Sequence, residues 1–400
     1  MWNRRQFITG SIAAVTAAMG IGNLGRVSVE SWLLKATAQG VARPGTPYPL
    51  VALPTKGLMG QVYDLPPNYE TPTTRLLGEK NYPLTDNEYY YVRYREPMPP
   101  KFTEDDFTLR IVGDAIDQEY EFTLQDLKDQ FPIESVIAVG ECSGMGRGLL
   151  RPMVPGLPWT KGDLGCAEWT GVQLKAILEH VGIDDRAKFI SLRSGASTIS
   201  QKRGDYVRTY KAEQLMTEPA LLAFEQNGEP LNFWNGYPLR LVSAGNKAPR
   251  WVKQLVEIDI RTTEDDREWS QREIGNSYLQ TKSLITTPPD GTEVTVGETV
   301  KLKGIAFDKG VGIEKVEISL DQGQTWTEAE LEESVGQYAW RVFNAEITAP
   351  VAGPFKIFSR ATNAEGETQP VNEPPETWDA SGRNAVGCDT FASILVGIEG

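Results

Sequence analysis

A cysteine in a glycine-rich loop is the first feature of this sequence that suggests chemistry. Residues 136–148 run from an apolar, strand-like stretch into a loop, and the segment contains four glycines. Cys142 lies where the strand would end, and Arg147 nearby would favour a thiolate, the form that binds soft metals. Glycines also let the backbone approach a bulky ligand. A small buried cysteine beside a turn has the same pattern, so this segment alone leaves both interpretations open.

The remaining cysteines and the single histidine exclude several other kinds of site. Cys166 and Cys388 bring the cysteine count to three, an odd number that argues against a disulfide framework. The sequence has no Cys-x-x-Cys-His segment for covalent haem, so we expect no haem. His180 ends a helical pattern just before Gly182, which predicts a helix C-terminal residue and not a metal ligand.

Overall charge and composition restrict the partners. The chain of 400 residues carries a formal net charge of −14, with 40% hydrophobic and 24% charged residues. Such a length predicts two folded domains. An acidic surface repels phosphate backbones, so we expect no nucleic-acid partner.

The beginning of the chain has the features of an export signal. Arg4 and Arg5 precede an apolar stretch over residues 12–24, and Ala36-Thr37-Ala38 offers a small-residue cleavage site. The paired arginines predict a twin-arginine signal over residues 1–38 and a periplasmic or otherwise exported protein. An uncleaved anchoring segment is the alternative. Elsewhere no stretch approaches the ~18 apolar residues of a membrane span, so the processed protein should not cross a membrane.

The elements that would position Cys142 belong to the first of two predicted domains. Residues 39–85 are rich in Pro, Gly and Tyr without clear periodicity, which predicts an extended arm. Strand-like and helical stretches alternate over residues 86–262 and predict a mixed α+β domain, with a short helix over residues 219–226. Residues 263–283 are predicted to be a linker. Alternating apolar runs between turn residues predict an antiparallel β-sandwich over residues 284–400.

The surroundings of Cys142 resemble the sulfite oxidase family of molybdopterin enzymes. The family pattern is Cys-(Ala/Ser)-Gly-Asn-x-Arg, and the segment is here Cys142-Ser143-Gly144-Met145-Gly146-Arg147. One family-like block lies upstream at residues 90–95, and others follow in the expected order at residues 156–159, 167–172, 221–231, 236–242 and 250–253. Residues 312–326 are similar to the family's immunoglobulin-like dimerisation domain. The resemblance implies the sulfite oxidase fold followed by that sandwich, and a homodimer.

Residue by residue, the resemblance implies a molybdopterin site. Cys142 would be the protein's ligand to molybdenum. The resemblance assigns an oxyanion pocket and its walls to Arg93, Arg147, Trp159 and Tyr206. It assigns cofactor contacts to Arg93, Arg95, Ser143, Gly144, Arg250 and Lys253. For Arg250 and Lys253, solvated strand charges are an equal alternative.

The sequence also departs from the family pattern. Met145 replaces the usual asparagine, Cys166 stands where asparagine is common, and Arg95 replaces a frequent histidine. The family's third pocket arginine has no clean match, and Arg383, two positions away, is the residue that we assign to this role. These differences affect the substrate more than the fold or the metal.

The function implied by the resemblance is oxidation of sulfite to sulfate by oxygen-atom transfer. Because no haem motif is present, electrons would pass to an external acceptor, for which we expect a c-type cytochrome. The alternative is a molybdoenzyme of the same family with another substrate, either sulfane sulfur on a carrier or another oxyanion that is reduced. A non-catalytic interaction protein is a third hypothesis, and the clustered charge of Arg93 and Arg147 argues against it.

Overall fold

The structure is a computed structural model, and it describes residues 46–95, 99, 102–103, 105–195, 206–264, 278–371 and 391–399. The predicted signal over residues 1–38, Arg383 and Cys388 lie outside the described residues. Elements are numbered below in chain order.

The N-terminal arm forms a small antiparallel sheet with the start of the first domain. Its four strands pair in sequence order. They are β1 (Leu50–Ala52), β2 (Leu58–Tyr63), β3 (Asn68–Glu70) and β4 (Val92–Arg93). The prediction of an arm without regular structure was therefore incomplete. Strands of two to six residues separated by proline turns are too short to give a recognisable period.

The first domain contains two sheets whose strands do not pair in sequence order. One has the order β10-β9-β14-β5-β6, and the other has the order β12-β11-β8-β7 with β13 also paired to β11. The strands are β5 (Thr108–Val112), β6 (Tyr120–Thr123), β7 (Ile133–Glu141), β8 (Leu164–Gln173), β9 (Phe189–Ser194), β10 (Val207–Lys211), β11 (Ala220–Gln226), β12 (Glu229–Pro230), β13 (Arg240–Ser243) and β14 (Leu255–Arg261). The helices are α1 (Leu124–Gln130), α2 (Leu174–His180) and α3 (Ala212–Thr217).

Local sequence explains where the first helix begins. The Thr123 side chain accepts a hydrogen bond from the Asp126 backbone N–H at 3.0 Å, and the Asp126 carboxylate accepts one from the Thr123 N–H at 2.8 Å. This reciprocal capping satisfies backbone donors that a helix start leaves free. Leu124 and Leu127 then pack into the core that fills the space between the helices and the sheets.

The helix predicted for residues 219–226 is wrong, because this segment is strand β11. It pairs with β8 on one side and β13 on the other. Six of its seven residues are buried, which removes the alternation of apolar and polar residues that identifies a strand facing water. Its leucine and alanine content then favours a helix by propensity, and the tertiary pairing overrides that preference.

The second domain is a two-sheet β-sandwich. One sheet has the order β15-β17-β21-β20 and the other has the order β16-β23-β22-β18-β19. The strands are β15 (Lys282–Thr287), β16 (Glu293–Thr295), β17 (Thr299–Phe307), β18 (Ile313–Ser319), β19 (Thr327–Glu328), β20 (Glu330–Leu331), β21 (Arg341–Thr348), β22 (Gly353–Asn363) and β23 (Ser393–Ile398). Val316, Phe343, Ile357 and Leu395 pack between the sheets. The predicted fold class, an α+β domain followed by an immunoglobulin-like sandwich, is confirmed.

Within the described ranges, none of the helices has the length and apolar character needed to cross a membrane.

Candidate cofactor and anion site

A cavity of about 740 Å³ in the first domain brings most of the predicted site residues together. It is formed by the loop after β7, by residues around β4, and by the segments at the ends of β9, β10 and β13. The predicted residues that line it are Arg93, Arg95, Cys142, Ser143, Gly144, Arg147, Trp159, Tyr206 and Lys253. These residues are up to 160 positions apart in the chain (253 − 93), so the fold and not local sequence assembles the cavity.

Cys142 is held at the end of β7 by two backbone hydrogen bonds. Its N–H donates to the Asp163 carbonyl at 3.0 Å, and its carbonyl accepts from the Met145 N–H at 3.0 Å. The second bond closes a turn that presents the thiol to the cavity. The position of Cys142 therefore depends on β7 and on the segment before β8.

Burial, and then Asp163, raise the pKa of the Cys142 thiol, which lies at about 11, although Arg93 and Arg147 act in the opposite direction. Arg147 therefore favours the thiolate, as predicted from the sequence, but in the protein alone its effect is smaller than that of burial. Desolvation is the largest of these effects because a buried thiolate loses its hydration. A metal ion supplies the missing positive charge, and coordinating thiols are deprotonated outright.

The glycines after Cys142 make room for Arg147. A Cβ at Gly144 would lie 2.8 Å from the Arg147 Nη1, and one at Gly156 would lie 2.6 Å from it. Gly156 also has a φ of +121°, which L side chains rarely adopt. Arg147 Nη1 donates to the Leu157 carbonyl at 3.1 Å. The guanidinium is thus fixed between two loops at the cavity wall.

Among the described residues, the charged side chains that line the cavity are all cationic. They are Arg93, Arg95, Arg147, Arg208, Arg240 and Lys253, with no aspartate or glutamate in the lining. Arg93 donates to two neutral acceptors, the Asn68 Oδ1 at 3.2 Å and the Tyr94 carbonyl. Clustered cations in a cleft focus a positive potential there and attract anions.

One end of the cavity buries two of these cations against aromatic rings. The Arg240 guanidinium lies 4.5 Å from the Trp169 ring centroid and 5.2 Å from that of Trp251, and its Nε finds no hydrogen-bond acceptor among the described residues. Lys253 Nζ lies 3.6 Å from the Tyr94 ring centroid. Burial, and then Arg240 and Arg93, hold the pKa of Lys253 well below its ordinary value. An anionic group bound at this end would accept a hydrogen bond from Arg240 and would stabilise the charged form of Lys253.

Tyr206 lines the cavity, but its hydroxyl donates to the Pro249 carbonyl at 3.1 Å. The Arg208 guanidinium stacks on the Tyr206 ring at 4.3 Å from the centroid, and its Nε donates to the same carbonyl at 2.6 Å. The predicted role of Tyr206 as a donor to substrate therefore requires the hydroxyl to leave Pro249. Arg208, which sequence reasoning missed, brings a further charge to this wall.

Arg250 is not brought to the cavity, although it was predicted to contact the cofactor. Its guanidinium lies 3.8 Å from the Tyr210 ring centroid and donates to the Thr209 carbonyl at 3.4 Å. The alternative of a solvated charge is wrong for Arg250, which is buried. Lys253 is half-buried and lines the cavity, and its Nζ donates to the Trp234 carbonyl at 2.8 Å, so it is not a freely solvated charge either. Arg250 ends a short 3-10 helix that turns its side chain toward β10 and α3.

The two family departures closest to Cys142 lie in a packed core. Met145 and Cys166 are both buried in the same apolar cluster, and neither lines the cavity. Burial raises the pKa of Cys166 to about 12. Replacement of asparagine at these positions therefore changes packing behind the loop and leaves the cavity wall unaltered.

Sequence reasoning missed several residues of the cavity. They are Asn68, Tyr90, Tyr91, Tyr94, Arg208, Asn235, Arg240 and Gln254. Tyr90, Tyr91 and Tyr94 flank Arg93 in the chain, and Arg240 lies inside a family-like block, so those neighbours were a usable signal. Asn68 from β3 had none, because only the pairing of β3 with β4 brings it to Arg93.

The residues present fit a molybdopterin cofactor. Cys142 offers a soft thiolate ligand, the glycines at positions 144 and 156 leave room for the Arg147 guanidinium at the cavity wall, and Arg240 has a buried N–H without a partner among the described residues. The cationic lining is complementary to a cofactor that carries a phosphate. All of these residues lie at the cavity wall.

Comparison with known proteins matches the two domains to two families of molybdenum-cofactor oxidoreductases. Residues 95–269 match a model described as "Oxidoreductase molybdopterin binding domain", and residues 274–386 match one described as "Mo-co oxidoreductase dimerisation domain". Mitochondrial sulfite oxidase of Rattus norvegicus is 28% identical over 78% of the chain and 61% of that relative, and sulfite oxidase of Arabidopsis thaliana is 28% identical over 77% and 86%. The chain spans only 57% of the length of the Drosophila melanogaster mitochondrial enzyme.

A solved structure shares the whole architecture. The sulfane dehydrogenase SoxCD from Paracoccus pantotrophus covers 94% of this chain and 93% of its own, with a TM-score of 0.68 and 23% identity. This likeness concerns the fold.

Proposed function

Because the chain belongs to the sulfite oxidase family of molybdopterin oxidoreductases, we propose that it oxidises sulfite to sulfate and passes two electrons to an external acceptor. The balanced reaction converts sulfite and water into sulfate, two protons and two electrons. One observation carries the proposal: a cavity that presents the Cys142 thiol also presents six cationic side chains and no carboxylate among its described lining residues.

The cofactor would be held by residues of three segments. Cys142 would bind the metal, Gly144 would let the cofactor approach the backbone, and Arg95, Arg240 and Lys253 would bind its anionic parts. When bound, the molybdenum centre supplies oxygen-atom transfer and two-electron redox chemistry.

The protein's own contribution is to bind and orient the oxyanion. Arg93 and Arg147 are fixed at the cavity wall and would bind sulfite oxygens with charge-assisted hydrogen bonds. Trp159 is fully buried and forms an apolar wall that excludes water. Charge neutralisation by fixed cations in a dry cavity is stronger than in water and needs no reorganisation.

Sulfite-dependent reduction of ferricyanide by molybdenum-loaded protein tests this proposal. Saturable turnover that requires both sulfite and molybdenum is expected. Full molybdenum occupancy without turnover would retain the family and reject sulfite as substrate.

A second candidate substrate is sulfane sulfur on a carrier, and exposed apolar residues at the cavity mouth favour it. Tyr63, Pro66 and Leu157 line the mouth, and Leu65, beside Pro66 in the chain, is 79% exposed. Met153, close to Leu157 in sequence, is also 79% exposed. Large exposed apolar side chains around a cleft are typical of a macromolecular docking site. An enzyme that reduces another oxyanion would bind it with the same cations. An assay of oxyanion-dependent oxidation of a reduced electron donor distinguishes this activity from sulfite oxidation.

Partners and location complete the proposal. The electron acceptor is a separate redox protein, for which we expect a c-type cytochrome. The sandwich domain forms a homodimer, in line with the description of the matching domain model. The twin-arginine pattern at Arg4 and Arg5 directs export to the periplasm. Mass photometry of the purified protein tests the dimer, and cell fractionation tests the export.

A further inference from the structure

Two lysine–carboxylate pairs, one of them fully buried, connect the two domains through residues close in the chain to Cys142 or to its hydrogen-bond partner Asp163. Lys282, at the start of β15 in the sandwich, pairs with Glu141, the last residue of β7. In the opposite direction, Lys161 of the first domain binds Asp290 of the sandwich at 2.8 Å and donates to the Ala392 carbonyl at 2.9 Å. Each domain thus contributes one lysine and one acid.

Glu141, the acid of the first pair, directly precedes Cys142 in the chain. The Glu141 side chain is 0% exposed and that of Lys282 is 3% exposed. One carboxylate oxygen of Glu141 accepts from Lys282, and the other has no hydrogen-bond partner among the described residues. Since a buried charge without a partner is strongly unfavourable, Lys282 is needed to keep Glu141 where it lies.

The second pair anchors the other segment that holds Cys142. Lys161 is two residues before Asp163, whose carbonyl accepts the Cys142 N–H at 3.0 Å. The Asp163 carboxylate is fully buried, and neither of its oxygens has a hydrogen-bond partner among the described residues. Lys161 and Lys282 thus anchor the two segments that carry Cys142 and its partner, the residues just before β8 and the end of β7.

We propose that Lys282 is a positioning residue for the metal site, through which the sandwich domain fixes the end of β7 and sets the charge beside Cys142. This inference rests on the proposed function, since it takes Cys142 as the molybdenum ligand. Lys282 touches neither substrate nor cofactor, and it acts through Glu141.

The expected effect is seen at the metal, where a merely stabilising role would produce none. In Lys282→Met, Glu141 loses its partner: as an anion it lowers the midpoint potential of the metal, and as a protonated acid it no longer holds the end of β7, which changes the Mo–S absorption. In Glu141→Gln, Lys282 is left as an uncompensated cation, which raises the potential. Lys282→Arg keeps the charge and should stay close to wild type.

Potentiometric titration of molybdenum-loaded protein, with X-ray absorption at the molybdenum edge, tests the proposal. Arg360→Met is a matched control, because Arg360 pairs with Glu317 inside the sandwich at 2.9 Å, away from the first domain. We expect a changed potential or a changed Mo–S absorption for Lys282→Met, a raised potential for Glu141→Gln, and partial recovery in the double variant. Arg360→Met should change thermal stability alone.

The outcomes separate this inference from the proposed function. Wild-type protein without molybdenum would reject the proposed function. Loaded variants whose potential and Mo–S absorption match wild type, with only the melting temperature lowered, would overturn the role of Lys282. If Lys282→Met does not fold, Glu141→Gln decides the question: an unchanged potential in that variant would also overturn it.

Discussion

At the scale of residues, burial and charge act in opposite directions on the chemistry of the cavity. Burial raises the pKa of the Cys142 thiol to about 11 although Arg93 and Arg147 are near. The same burial strengthens any interaction between those arginines and an anion, because the effective dielectric is low. The site is therefore poorly suited to a free thiolate and well suited to a metal-bound thiolate beside an oxyanion.

The two arginines should determine the affinity for sulfite. We expect Arg93→Met and Arg147→Met each to raise KM for sulfite by roughly 10- to 100-fold, since a charge-assisted hydrogen bond contributes about 1.5–3 kcal/mol. Steady-state kinetics with ferricyanide measures this. Arg151→Met is the control, because Arg151 donates to backbone carbonyls near the loop and does not line the cavity. An unchanged KM in both arginine variants would contradict the anion pocket.

Sequence reasoning was most successful for residues next to a motif in the chain. Cys142, Ser143, Gly144 and Arg147 follow one another within one loop, and all line the cavity. Arg250 failed because one turn of backbone decides whether a side chain faces β10 or the cavity, and no pattern in the sequence encodes that turn. The role of Arg383 stays a prediction.

At the scale of elements, alternation decided which strands could be predicted. Several strands of the sandwich have one face in the core and one in water, as in the first half of β17, and their alternation is visible in the sequence. Strand β11 is buried on both faces, and its Ala-Leu content favoured a helix instead. The strands of the N-terminal arm are too short to show a period of alternating apolar and polar residues.

Because β11 is buried, shortening one of its apolar side chains should strongly lower the free energy of unfolding. Leu222 is fully buried where β11 meets β8 and β13. We expect Leu222→Ala to lower the free energy of unfolding by about 2–5 kcal/mol. Chemical denaturation measures the change, with Glu225→Ala on the same strand as the control. Equal stabilities of the two variants would contradict the placement of β11 at the centre of its sheet.

The turn between β18 and β19 predicts a dependence on acid. The Asp321 carboxylate accepts hydrogen bonds from the Thr325 side chain and N–H and from Ser319, which lower its pKa to about 2. A carboxylate whose pKa is lower in the folded protein than in the unfolded chain stabilises the fold at pH values above its ordinary pKa. That stabilisation is lost as the pH falls toward 2. Thermal unfolding of wild type and Asp321→Asn should therefore differ at pH 6 and converge near pH 2. A difference that persists unchanged at low pH would contradict this hydrogen-bonding role.

At the scale of the whole molecule, the order and type of the two domains could be predicted, and their contact could not. The change from mixed elements to alternating short strands marks the second domain in the sequence. The pairs Lys282–Glu141 and Lys161–Asp290 join residues 141 and 129 positions apart, and nothing local distinguishes these lysines from surface lysines. Ion pairs across a domain boundary become visible only when the domains are packed.

The mouth of the cavity should matter to a protein acceptor and not to a small one. We expect Leu65→Glu and Met153→Glu to lower kcat/KM for a protein acceptor by about 10-fold, typical for an interface residue that contributes more than 1 kcal/mol. Turnover with ferricyanide should be unchanged. Ile133→Glu, at an exposed residue of β7, is the control. Equal losses with both acceptors would place the docking surface elsewhere.

The central claim, that Cys142 carries molybdenum in this cavity, is tested most directly by the metal content of wild type and of Cys142→Ser produced in the same competent host. The sulfur contribution to X-ray absorption is measured on the same samples. We predict about one molybdenum per wild-type chain, as for a single site with one protein thiolate. The variant should lose one sulfur ligand or the metal itself. Equal metal content and identical sulfur coordination in both proteins would contradict the account.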